Sequence, residues 1–325
     1  MKSTHKVEVV RVKLENHPNA NSLSIVRIGG YSVCVRTDDW KDGDLGSYVQ
    51  PDSIVDTNHP EFSFLADGKD NKKRIKVKKL RGIVSMGLLV PAPPESKEGD
   101  DVADLLGVEH YEPETKLTMD DDNVSAPPGY YPKYDIDSLR KYTDVFKKGE
   151  LVGIFEKIHG AFQRCVYINN QLYIGSRTNW KKESDTNLWW RALRNHPEIE
   201  TFCRNNPTVV LCGEAYGKVQ DMRYGKNDAY FLAFDIMEDE KFINVNEFLK
   251  TCRENQIETV PILALDFPYD YGRIEEMAEG PSLVKGANHV REGCVVKSMI
   301  EGWDEEIGRK ILKIVGNDYF LRKQK

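Results

Sequence analysis

The first third of the chain alternates apolar and polar residues over short runs, which is the pattern of half-buried β-strands. Four such runs cover residues 7–12, 24–28, 31–35 and 45–49. Gly29-Gly30 separates the second run from the third and indicates a β-hairpin. Several short strands within about 90 residues predict a small β-barrel.

Beyond Asp137 the pattern changes to longer apolar runs and helical periodicities, which predicts a mixed α+β domain. Residues 137–142 have the composition of a capped helix start, and the apolar run over 151–155 predicts a buried strand that ends at Lys157. Further helices are expected over 187–195, 198–204, 245–255 and about 273–279, and further strands over 162–167, 171–174, 208–212, 230–236, 260–263, 293–297 and 310–315.

Charge and proline content distinguish the segment between these two regions. Residues 1–100 carry 16 Lys/Arg and 14 Asp/Glu, residues 101–125 carry 1 and 8, and residues 126–325 carry 29 and 30. Like charge with proline and glycine disfavours packing, so we expect an acidic, proline-rich linker over 101–130 with a short helix near 102–106. A clamp or an acidic mimic of RNA is the alternative. The predicted domains are therefore 1–100 and 131–325.

The composition predicts a globular cytoplasmic protein without a membrane anchor. Hydrophobic residues make up 40% and charged residues 30% of the chain. No run approaches the ~20 apolar residues that span a bilayer, and the first residues lack the apolar core of a signal peptide. The six cysteines are scattered without a CxxC pair, which predicts free thiols and argues against a zinc or redox centre.

A basic segment over 69–81 indicates nucleic-acid binding, although the net charge of the chain is −6. Alternation over 74–78 puts Arg74, Lys76 and Lys78 on one face of a strand, where they can neutralise successive phosphates. Together with Arg81 these residues are the candidates for binding RNA. The alternative is a solvated hairpin with basic ends.

Two strings in the first domain resemble segments of the OB domains found in tRNA synthetases and related tRNA-binding proteins. They are His17-Pro18-Asn19-Ala20-Asn21-Ser22-Leu23 and residues 79–89, KLRGIVSMGLL. The resemblance implies that the N-terminal barrel is an OB-fold that binds nucleic acid.

Lys157 is the candidate nucleophile of the second domain. It stands between apolar residues, close to a histidine and a glycine, in the string Glu156-Lys157-Ile158-His159-Gly160. A lysine attacks only after losing its proton, which a partly dehydrated, cation-rich pocket favours. We therefore expect Lys157 to have a lowered pKa.

Six strings in a fixed order are far more specific than one lysine. They are residues 156–160 (EKIHG), 175–178 (GSRT), 211–217 (LCGEAYG), 231–236 (FLAFDI), 292–297 (EGCVVK) and 312–314 (LKI). In this order they resemble motifs I, Ia, III, IIIa, IV and V of the covalent nucleotidyltransferases, which comprise polynucleotide ligases and mRNA capping enzymes. The histidine at position 159 and the preceding OB domain resemble the fifth family of ATP-dependent RNA ligases, which seal 3′-OH and 5′-phosphate ends at nicks.

The resemblance implies a fold and a reaction. The implied fold is α+β, with an N-terminal OB-fold β-barrel followed by a nucleotidyltransferase (ATP-grasp-like ligase) domain of antiparallel sheets and flanking helices. The implied reaction uses ATP and Mg²⁺ or Mn²⁺ to form lysyl-AMP on Lys157, then an RNA-adenylate, and then the sealed strand. The implied partner of this monomeric enzyme is nicked duplex RNA with an RNA 3′-OH strand.

The resemblance also assigns roles to residues of the six strings. Lys297 and Lys313 would join Lys157 as catalytic residues by stabilising charge on the transferred phosphate. Glu214 and Glu292 would hold the metal ion through its waters. Phe234 would stack on adenine, and Arg177 would contact the nucleotide or the RNA end. The residues implied to bind the nucleotide are Glu156, Ile158, His159, Gly160, Arg177, Glu214, Phe234 and Glu292.

Several alternatives remain open. Phe234 could be a core aromatic and His159 a structural turn histidine. Motif V often carries two lysines two residues apart, whereas here Val315 follows Lys313 at that spacing and Lys310 points by strand alternation to the other face. The alternative functions are a GTP-using capping guanylyltransferase and a tRNA-binding OB protein with an inactive second domain.

Overall fold

The protein is described here from a computed structural model that covers residues 5–111 and 122–322. Part of the predicted linker lies outside the described residues. The described residues form two compact units. The first holds residues 5–111, 140–143 and 320–322, and the second holds residues 122–139 and 144–319.

The first unit is built from short antiparallel strands. They are β1 (Glu8–Arg11), β2 (Leu14–Asn16), β3 (Leu23–Ile28), β4 (Tyr31–Arg36), β5 (Leu45–Val49), β6 (Ser53–Asp56), β7 (Lys72–Arg74), β8 (Lys78–Leu80), β9 (Ile83–Ser85), β10 (Leu88–Pro91) and β11 (Glu109–His110), with 3₁₀ turns at Thr37–Asp39 and Pro60–Leu65. They pair in the orders β1-β5-β10, β2-β3-β4, β11-β6-β7 and β8-β9. The predicted hairpin is confirmed, since Ile28 pairs with Tyr31 across Gly29-Gly30.

The core of the first unit includes residues that the sequence assigned to the linker. Val102 and Leu106 are buried in the same apolar cluster as Phe62. The short helix expected over 102–106 is wrong, because this segment forms turns. The Val102 N–H instead donates to the Val7 carbonyl at 2.9 Å, so pairing with a distant strand prevails over the local helical periodicity.

The two OB-like strings contact each other in the first unit. His17 Nε2 lies 3.2 Å from the Leu80 carbonyl oxygen, and Asn19 Nδ2 donates to the Arg81 carbonyl at 2.9 Å. Polar residues of the first string therefore hold the turn that opens the second.

The second unit contains two larger sheets. Its strands are β12 (Asn123–Val124), β13 (Asp137–Ser138), β14 (Leu151–Lys157), β15 (Ala161–Ile168), β16 (Gln171–Gly175), β17 (Trp180–Lys181), β18 (Val210–Gly217), β19 (Ala229–Glu238), β20 (Lys241–Phe242), β21 (Ile262–Pro268), β22 (Gly293–Ser298), β23 (Trp303–Asp304), β24 (Gly308–Arg309) and β25 (Ile311–Val315). The seven-stranded sheet has the order β12-β17-β16-β15-β18-β19-β20, and the five-stranded sheet has the order β13-β25-β22-β14-β21.

Helices cover one face of the seven-stranded sheet. The helices of the chain are α1 (Leu188–Arg194), α2 (Pro197–Asn205), α3 (Val245–Glu254), α4 (Tyr271–Met277) and α5 (Asn317–Leu321). Trp189, Phe202 and Phe248 from the first three helices pack with Leu211 of β18 in one apolar cluster. The four helices predicted in this region are confirmed, and the first three each present apolar residues to the sheet.

Two predicted elements of the second unit are wrong. Residues 137–142 do not begin a helix, because Asp137 and Ser138 pair in parallel with β25 and the Leu139 N–H donates to the Lys313 carbonyl at 2.7 Å. The strand expected over 260–263 instead runs over Ile262–Pro268 as an edge strand beside β14. Both errors arise because long-range pairing, which local composition does not encode, sets the element.

Two expectations about the whole chain can also be compared with the structure. All six cysteines are free thiols, as predicted. In the described parts of the chain, no helix combines the length and apolar character required to cross a bilayer.

Candidate active site

Lys157 is the last residue of β14, inside the five-stranded sheet. It stands opposite Gly293 of the neighbouring antiparallel strand β22. A Cβ atom at Gly293 would lie 2.0 Å from the Ile314 carbonyl oxygen of β25, so the approach of these strands requires glycine. The preceding residue, Glu292, is thereby placed beside Lys157.

Lys157 is surrounded by carboxylates. Its Nζ lies 2.9 Å from Glu292 Oε1, and the two side chains are 24% and 11% exposed. Burial lowers the pKa of Lys157, but the charges of Glu292 and Glu214 outweigh this effect and the pKa is raised. The expected lowered pKa is therefore wrong for this structure, because the nearest charges are negative.

Glu214 reaches the site from β18 of the seven-stranded sheet. Gly160 packs directly against this strand. A Cβ atom added to Gly160 would lie 2.2 Å from the Ala215 carbonyl oxygen and 2.8 Å from Glu214 Cγ. Glycine is thus required for the segment after Lys157 to lie against β18. Burial raises the pKa of Glu214 to about 8, with Lys157 opposing the shift and Glu292 adding to it.

Glu292 has the opposite titration behaviour. Burial acts to raise its pKa, but the positive charge of Lys157 outweighs this effect and the pKa is lowered to about 2. Its Oε2 is buried, has no hydrogen-bond partner among the described residues and lies 3.6 Å from His159 Nδ1. This oxygen therefore retains capacity to accept a further donor.

The two carboxylates fit a hydrated divalent cation. Within residues 5–111 and 122–322, no cluster of three or more His, Cys, Asp or Glu side chains could hold a metal ion directly. Mg²⁺ commonly keeps several waters and binds through one or two carboxylates and substrate phosphates. Glu214 and the unpartnered oxygen of Glu292 supply the oxygen donors that such a water-mediated site requires.

Lys313 lies on the same face of the five-stranded sheet as Lys157. It stands opposite Val295 of β22, which in turn stands opposite Phe155 of β14, and directly paired residues point to one face. Burial lowers the pKa of Lys313, and the positive charge of Lys157 lowers it further. The structure therefore brings these two lysines close enough to interact electrostatically.

Lys297 shares that face but lies farther from Lys157. It stands opposite Gly153, four positions along β14 from Lys157, which corresponds to roughly 13 Å of extended strand. Its Nζ lies 3.0 Å from Asp235 Oδ1, and the two side chains are 3% and 0% exposed. Its ammonium is therefore paired with Asp235, and the role predicted for it at the transferred phosphate stays a prediction.

Asp235 is the centre of a buried ion cluster. Besides Lys297, it contacts Arg309, whose Nη1 lies 2.5 Å from Oδ2, and Tyr134, whose hydroxyl donates to Oδ2 at 2.6 Å. These groups lower the pKa of Asp235 although burial acts to raise it. Because Asp235 belongs to β19 and Lys297 to β22, the cluster joins the two sheets.

His159 is held on both ring nitrogens. Nε2 lies 2.7 Å from Asp221 Oδ1, and Nδ1 lies 2.9 Å from the Tyr319 hydroxyl. Its backbone N–H donates to the Tyr224 hydroxyl at 2.7 Å. The ring is therefore part of an ordered network beside Glu292.

The side chains on either side of Lys157 point away from it. Glu156 is buried, and its carboxylate accepts hydrogen bonds from Ser282 Oγ and, at 2.7 Å, from the Leu283 N–H. Ile158 packs in an apolar cluster. Strand alternation directs Glu156 to the other face, and Ile158 is buried in its cluster. Only the backbone of these two residues is therefore left to contact a nucleotide.

Phe234 is a half-buried member of an aromatic group. Its ring centroid lies 5.0 Å from that of Tyr134 and 5.9 Å from that of Phe162. The partly accessible ring of Phe234 keeps both its core contacts and a surface for stacking.

Arg177 is exposed, and its Nη1 lies 3.1 Å from Asp135 Oδ1.

The basic segment of the first unit has the predicted alternation of exposure. Ile75 and Val77 are 7% and 3% exposed, whereas the side chains of Lys76 and Lys78 lie at the surface. The predicted single strand is instead two, β7 and β8, separated by residues 75–77.

Arg74 and Arg81 differ from the two lysines between them. Arg74 is tied to Asp52, with its Nη2 2.6 Å from Oδ1. Arg81 is exposed in the turn after β8. The basic face is therefore defined below by Lys76, Lys78 and Arg81.

Sequence reasoning missed Asp221, Tyr319 and Arg309. Asp221 and Tyr319 contact His159 across 62 and 160 residues of chain. Arg309 contacts Asp235 across 74 residues. No spacing rule joins such positions, and only the position of Asp221 in the loop after the third motif string offered a signal.

The architecture matches solved ligase structures. A mutant of Naegleria gruberi RNA ligase with ATP and Mn is 23% identical, with a TM-score of 0.82 over 98% of this chain and 99% of that chain. Another mutant of that ligase, with AMP and Mn, is 24% identical, with a TM-score of 0.83 over 99% of this chain and 100% of that chain. Residues 6–92 match a model of an OB-fold domain. The fold is thus an N-terminal OB-fold domain followed by a ligase domain, as predicted.

The sequence of the second domain establishes the family. Residues 150–315, just over half of the chain, match the RNA ligase family model. The chain belongs to the RNA ligase family, which confirms the family resemblance of its ordered motifs. No curated protein matched the chain in a sequence search.

Proposed function

We propose that this RNA ligase uses ATP to seal 3′-OH/5′-phosphate nicks in duplex RNA, with Lys157 as the residue that becomes adenylylated. The observation that carries the proposal is the partly exposed Lys157 ammonium, 2.9 Å from Glu292 and within the field of Glu214. A lysine that only stabilises a fold has no need of a surplus of carboxylates or of solvent access, whereas a nucleophile that binds a metal nucleotide uses both.

The first step joins Lys157 to AMP. Its Nζ attacks the α-phosphorus of ATP, a nitrogen–phosphorus bond forms, and the bond to the pyrophosphate oxygen breaks in line. Glu292 Oε1, at 2.9 Å, holds the lysine in place, and the proton that the lysine loses passes to the solvent to which its side chain is partly exposed. A divalent cation held through water by Glu214 and Glu292 would neutralise both carboxylates and thereby lower the pKa of Lys157.

ATP with Mg²⁺ or Mn²⁺ is the proposed cofactor set. The similar Naegleria gruberi ligase has been crystallised with ATP and Mn, with AMP and Mn, and with PPi. In this chain, the exposed part of the Phe234 ring stacks on adenine and Lys313 stabilises charge on the phosphates. Arg177, whose guanidinium pairs with the exposed carboxylate of Asp135, turns to the ribose or the RNA end.

The later steps use RNA. The RNA 5′-phosphate displaces Lys157 from AMP, and the 3′-OH then displaces AMP to form the phosphodiester. The basic face of Lys76, Lys78 and Arg81 contacts backbone phosphates of the duplex beside the nick, reading shape rather than bases. We further propose that residues 1–100 form the duplex-binding domain, that residues 131–325 form the catalytic domain, and that the enzyme is a monomer.

Incubation of the protein with α-labelled ATP and a divalent cation, without nucleic acid, tests the first step. Wild type acquires acid-stable label and Lys157→Ala acquires none. Label from GTP alone would make the chain a guanylyltransferase, and no label from either nucleotide would leave an RNA-binding protein with an inactive domain.

Nicked duplexes with RNA or DNA placed separately on each side of the nick test the substrate. We expect sealing with an RNA 3′-OH strand and little sealing with DNA there. Lys76→Ala and Lys78→Ala should each reduce the dependence of log K on log salt by roughly 0.7–0.9, whereas Lys148→Ala, an exposed lysine of the second unit, should leave it unchanged. Equal salt dependence in all variants would place RNA elsewhere.

A further inference from the structure

The loop over residues 218–228 carries a second layer of the active site. We propose that Asp221 and Tyr319 are positioning residues of the adenylylation step, which act by fixing the ring of His159 against Glu292. This inference rests on the proposed function, because the step it concerns is the attack of Lys157 on ATP.

The two contacts fix both the proton and the orientation of the ring. The Asp221 carboxylate can only accept a hydrogen bond, so His159 Nε2, 2.7 Å away, carries a proton. The Tyr319 hydroxyl, 2.9 Å from Nδ1, engages the other side of the ring. A flip about the Cβ–Cγ bond would break both hydrogen bonds, so the imidazole has one favoured orientation.

The orientation matters because of what lies next to Nδ1. Glu292 Oε2, which no donor in the described part of the chain reaches, is buried 3.6 Å from this nitrogen. The other oxygen of the same carboxylate holds Lys157 at 2.9 Å. The His159 ring therefore packs against the Glu292 carboxylate. If the ring is displaced, the carboxylate and the lysine bound to it can shift together.

The loop that supplies Asp221 is packed, as a positioning role requires. Met222 and Tyr224 are buried in the apolar cluster that also contains Ile158. Gln220 Nε2 donates to the Gly160 carbonyl, and the Tyr224 hydroxyl accepts from the His159 N–H. The loop thus contacts Ile158, His159 and Gly160, the three residues after Lys157. These contacts favour a loop that is fixed in place over a loop that opens and closes over the site.

The kinetic test compares Asp221→Ala, Asp221→Asn and Tyr319→Phe in single-turnover adenylylation. Loss of a partner that orients a ligand residue commonly lowers activity by roughly 10- to 100-fold. We expect that loss for Asp221→Ala, with the apparent KM for ATP unchanged within about twofold, since Asp221 is placed to act on the lysine and not on the nucleotide. Asp221→Asn, whose amide oxygen can still accept from Nε2, should recover most of the rate.

The matched control is Asp239→Asn, which changes an exposed turn carboxylate of the same domain to an amide. It should label at the wild-type rate. Equal rates for wild type, Asp221→Ala and Tyr319→Phe would overturn the proposal, as would an Asp221→Ala variant that binds ATP weakly but reacts at the wild-type rate once saturated.

A spectroscopic readout separates positioning from loss of stability. In ¹⁵N-labelled imidazole NMR spectra, the signals of His159 among the seven histidines are identified by their absence in His159→Gln. Wild type should show Nε2 protonated, and folded Asp221→Ala should show exchange between the two tautomers. Identical His159 signals in the two proteins would overturn the proposal.

The outcomes distinguish this inference from the proposed function. If wild type acquires no label from ATP, the proposed function fails while the NMR comparison still reports on the ring. If wild type reacts and Lys157→Ala does not, but Asp221→Ala reacts like wild type, the proposed function stands and the positioning role fails.

Discussion

Two lysines on one face of the five-stranded sheet, one half-buried and one buried, differ in the carboxyl groups around them. Lys157 lies in the field of two carboxylates, Glu292 and Glu214, and is 24% exposed. Lys297 shares the single carboxylate of Asp235 with Arg309 and is 3% exposed. The pKa of Lys157 is raised by its carboxylates, whereas burial lowers the pKa of Lys297 against the pull of Asp235.

The difference separates a reactive site from a structural one. Around Lys157 two carboxyl groups lie where solvent has access, and one of them, Glu214, has a pKa raised to about 8. A bound cation would stabilise the ionised forms of both groups. The carboxylate of Asp235 has no contact with solvent. It is paired with Lys297 and Arg309 and accepts a hydrogen bond from the Tyr134 hydroxyl. A lysine paired with a carboxylate therefore does not by itself define an active site. The number of acidic and basic groups around the lysine and the solvent exposure of its side chain must be considered together.

The largest expected effect is the loss of labelling in Lys157→Arg. The arginine keeps the positive charge beside Glu292 but cannot lose its proton near neutral pH, so it cannot attack ATP. We expect acid-stable label from ATP to fall below detection, while the free energy of unfolding in urea changes by less than about 1 kcal/mol. A labelled Lys157→Arg protein would show that the nucleophile is another residue.

The next largest effect is expected on stability, in Asp235→Asn. The substitution leaves Lys297 buried without its counter-charge, whereas Arg309 keeps its ion pair with Glu301. Such a loss lowers the free energy of unfolding by about 3–5 kcal/mol. Urea unfolding measures the change, with Asp239→Asn expected within about 0.5 kcal/mol of wild type. A loss below about 1 kcal/mol would mean that the cluster does not join the sheets as its geometry indicates.

A smaller, pH-dependent effect is expected from Glu214. Its folded pKa of about 8 lies above the unfolded value of about 4.3, so between these values the folded state binds more protons. The free energy of unfolding therefore falls as pH rises through this window, by at most about 1.4 kcal/mol per pH unit from this group. Glu214→Gln should flatten the dependence measured by urea unfolding at about pH 5.5, 6.5 and 7.5.

Two controls sharpen that measurement. Glu292 does not contribute in this window, because its pKa is lowered to about 2 and its stabilisation is lost only as the pH falls from its unfolded value toward that value. Asp239→Asn should keep the wild-type slope. An unchanged slope in Glu214→Gln would show that the carboxyl group of Glu214 titrates near its unfolded value and is ionised throughout this window, in contradiction to the raised pKa.

The smallest effect is expected at Lys310, which directly precedes β25. Lys310 Nζ lies 2.6 Å from Glu150 Oε1, with the side chains 15% and 24% exposed, and Ser298 Oγ also donates to that carboxylate. Lys310→Met should lower the free energy of unfolding by about 0.5–1 kcal/mol and leave labelling by ATP intact. Loss of labelling would make Lys310 the missing second cation of motif V.

The sequence predicted the parts of the site that lie on strand ends. Lys157, Glu292 and Lys313 fall in short strings on neighbouring strands, so their order along the chain was enough to group them. The direction of the pKa shift of Lys157 could not be predicted from the sequence. It depends on how closely Glu214 of the seven-stranded sheet approaches Glu292 beside the five-stranded sheet. The same limit explains the false helix at 137–142, whose polar start pairs with β25.

The glycine at position 293 offers a way to separate shape from charge in this enzyme. Replacing it with alanine would force β22 away from β25, because the new methyl group would meet a carbonyl oxygen at 2.0 Å, yet every ionisable group would remain. Such a protein could serve as a scaffold for capturing bound nucleotide or RNA with native electrostatics and misaligned chemistry, which the usual removal of a charged residue does not provide.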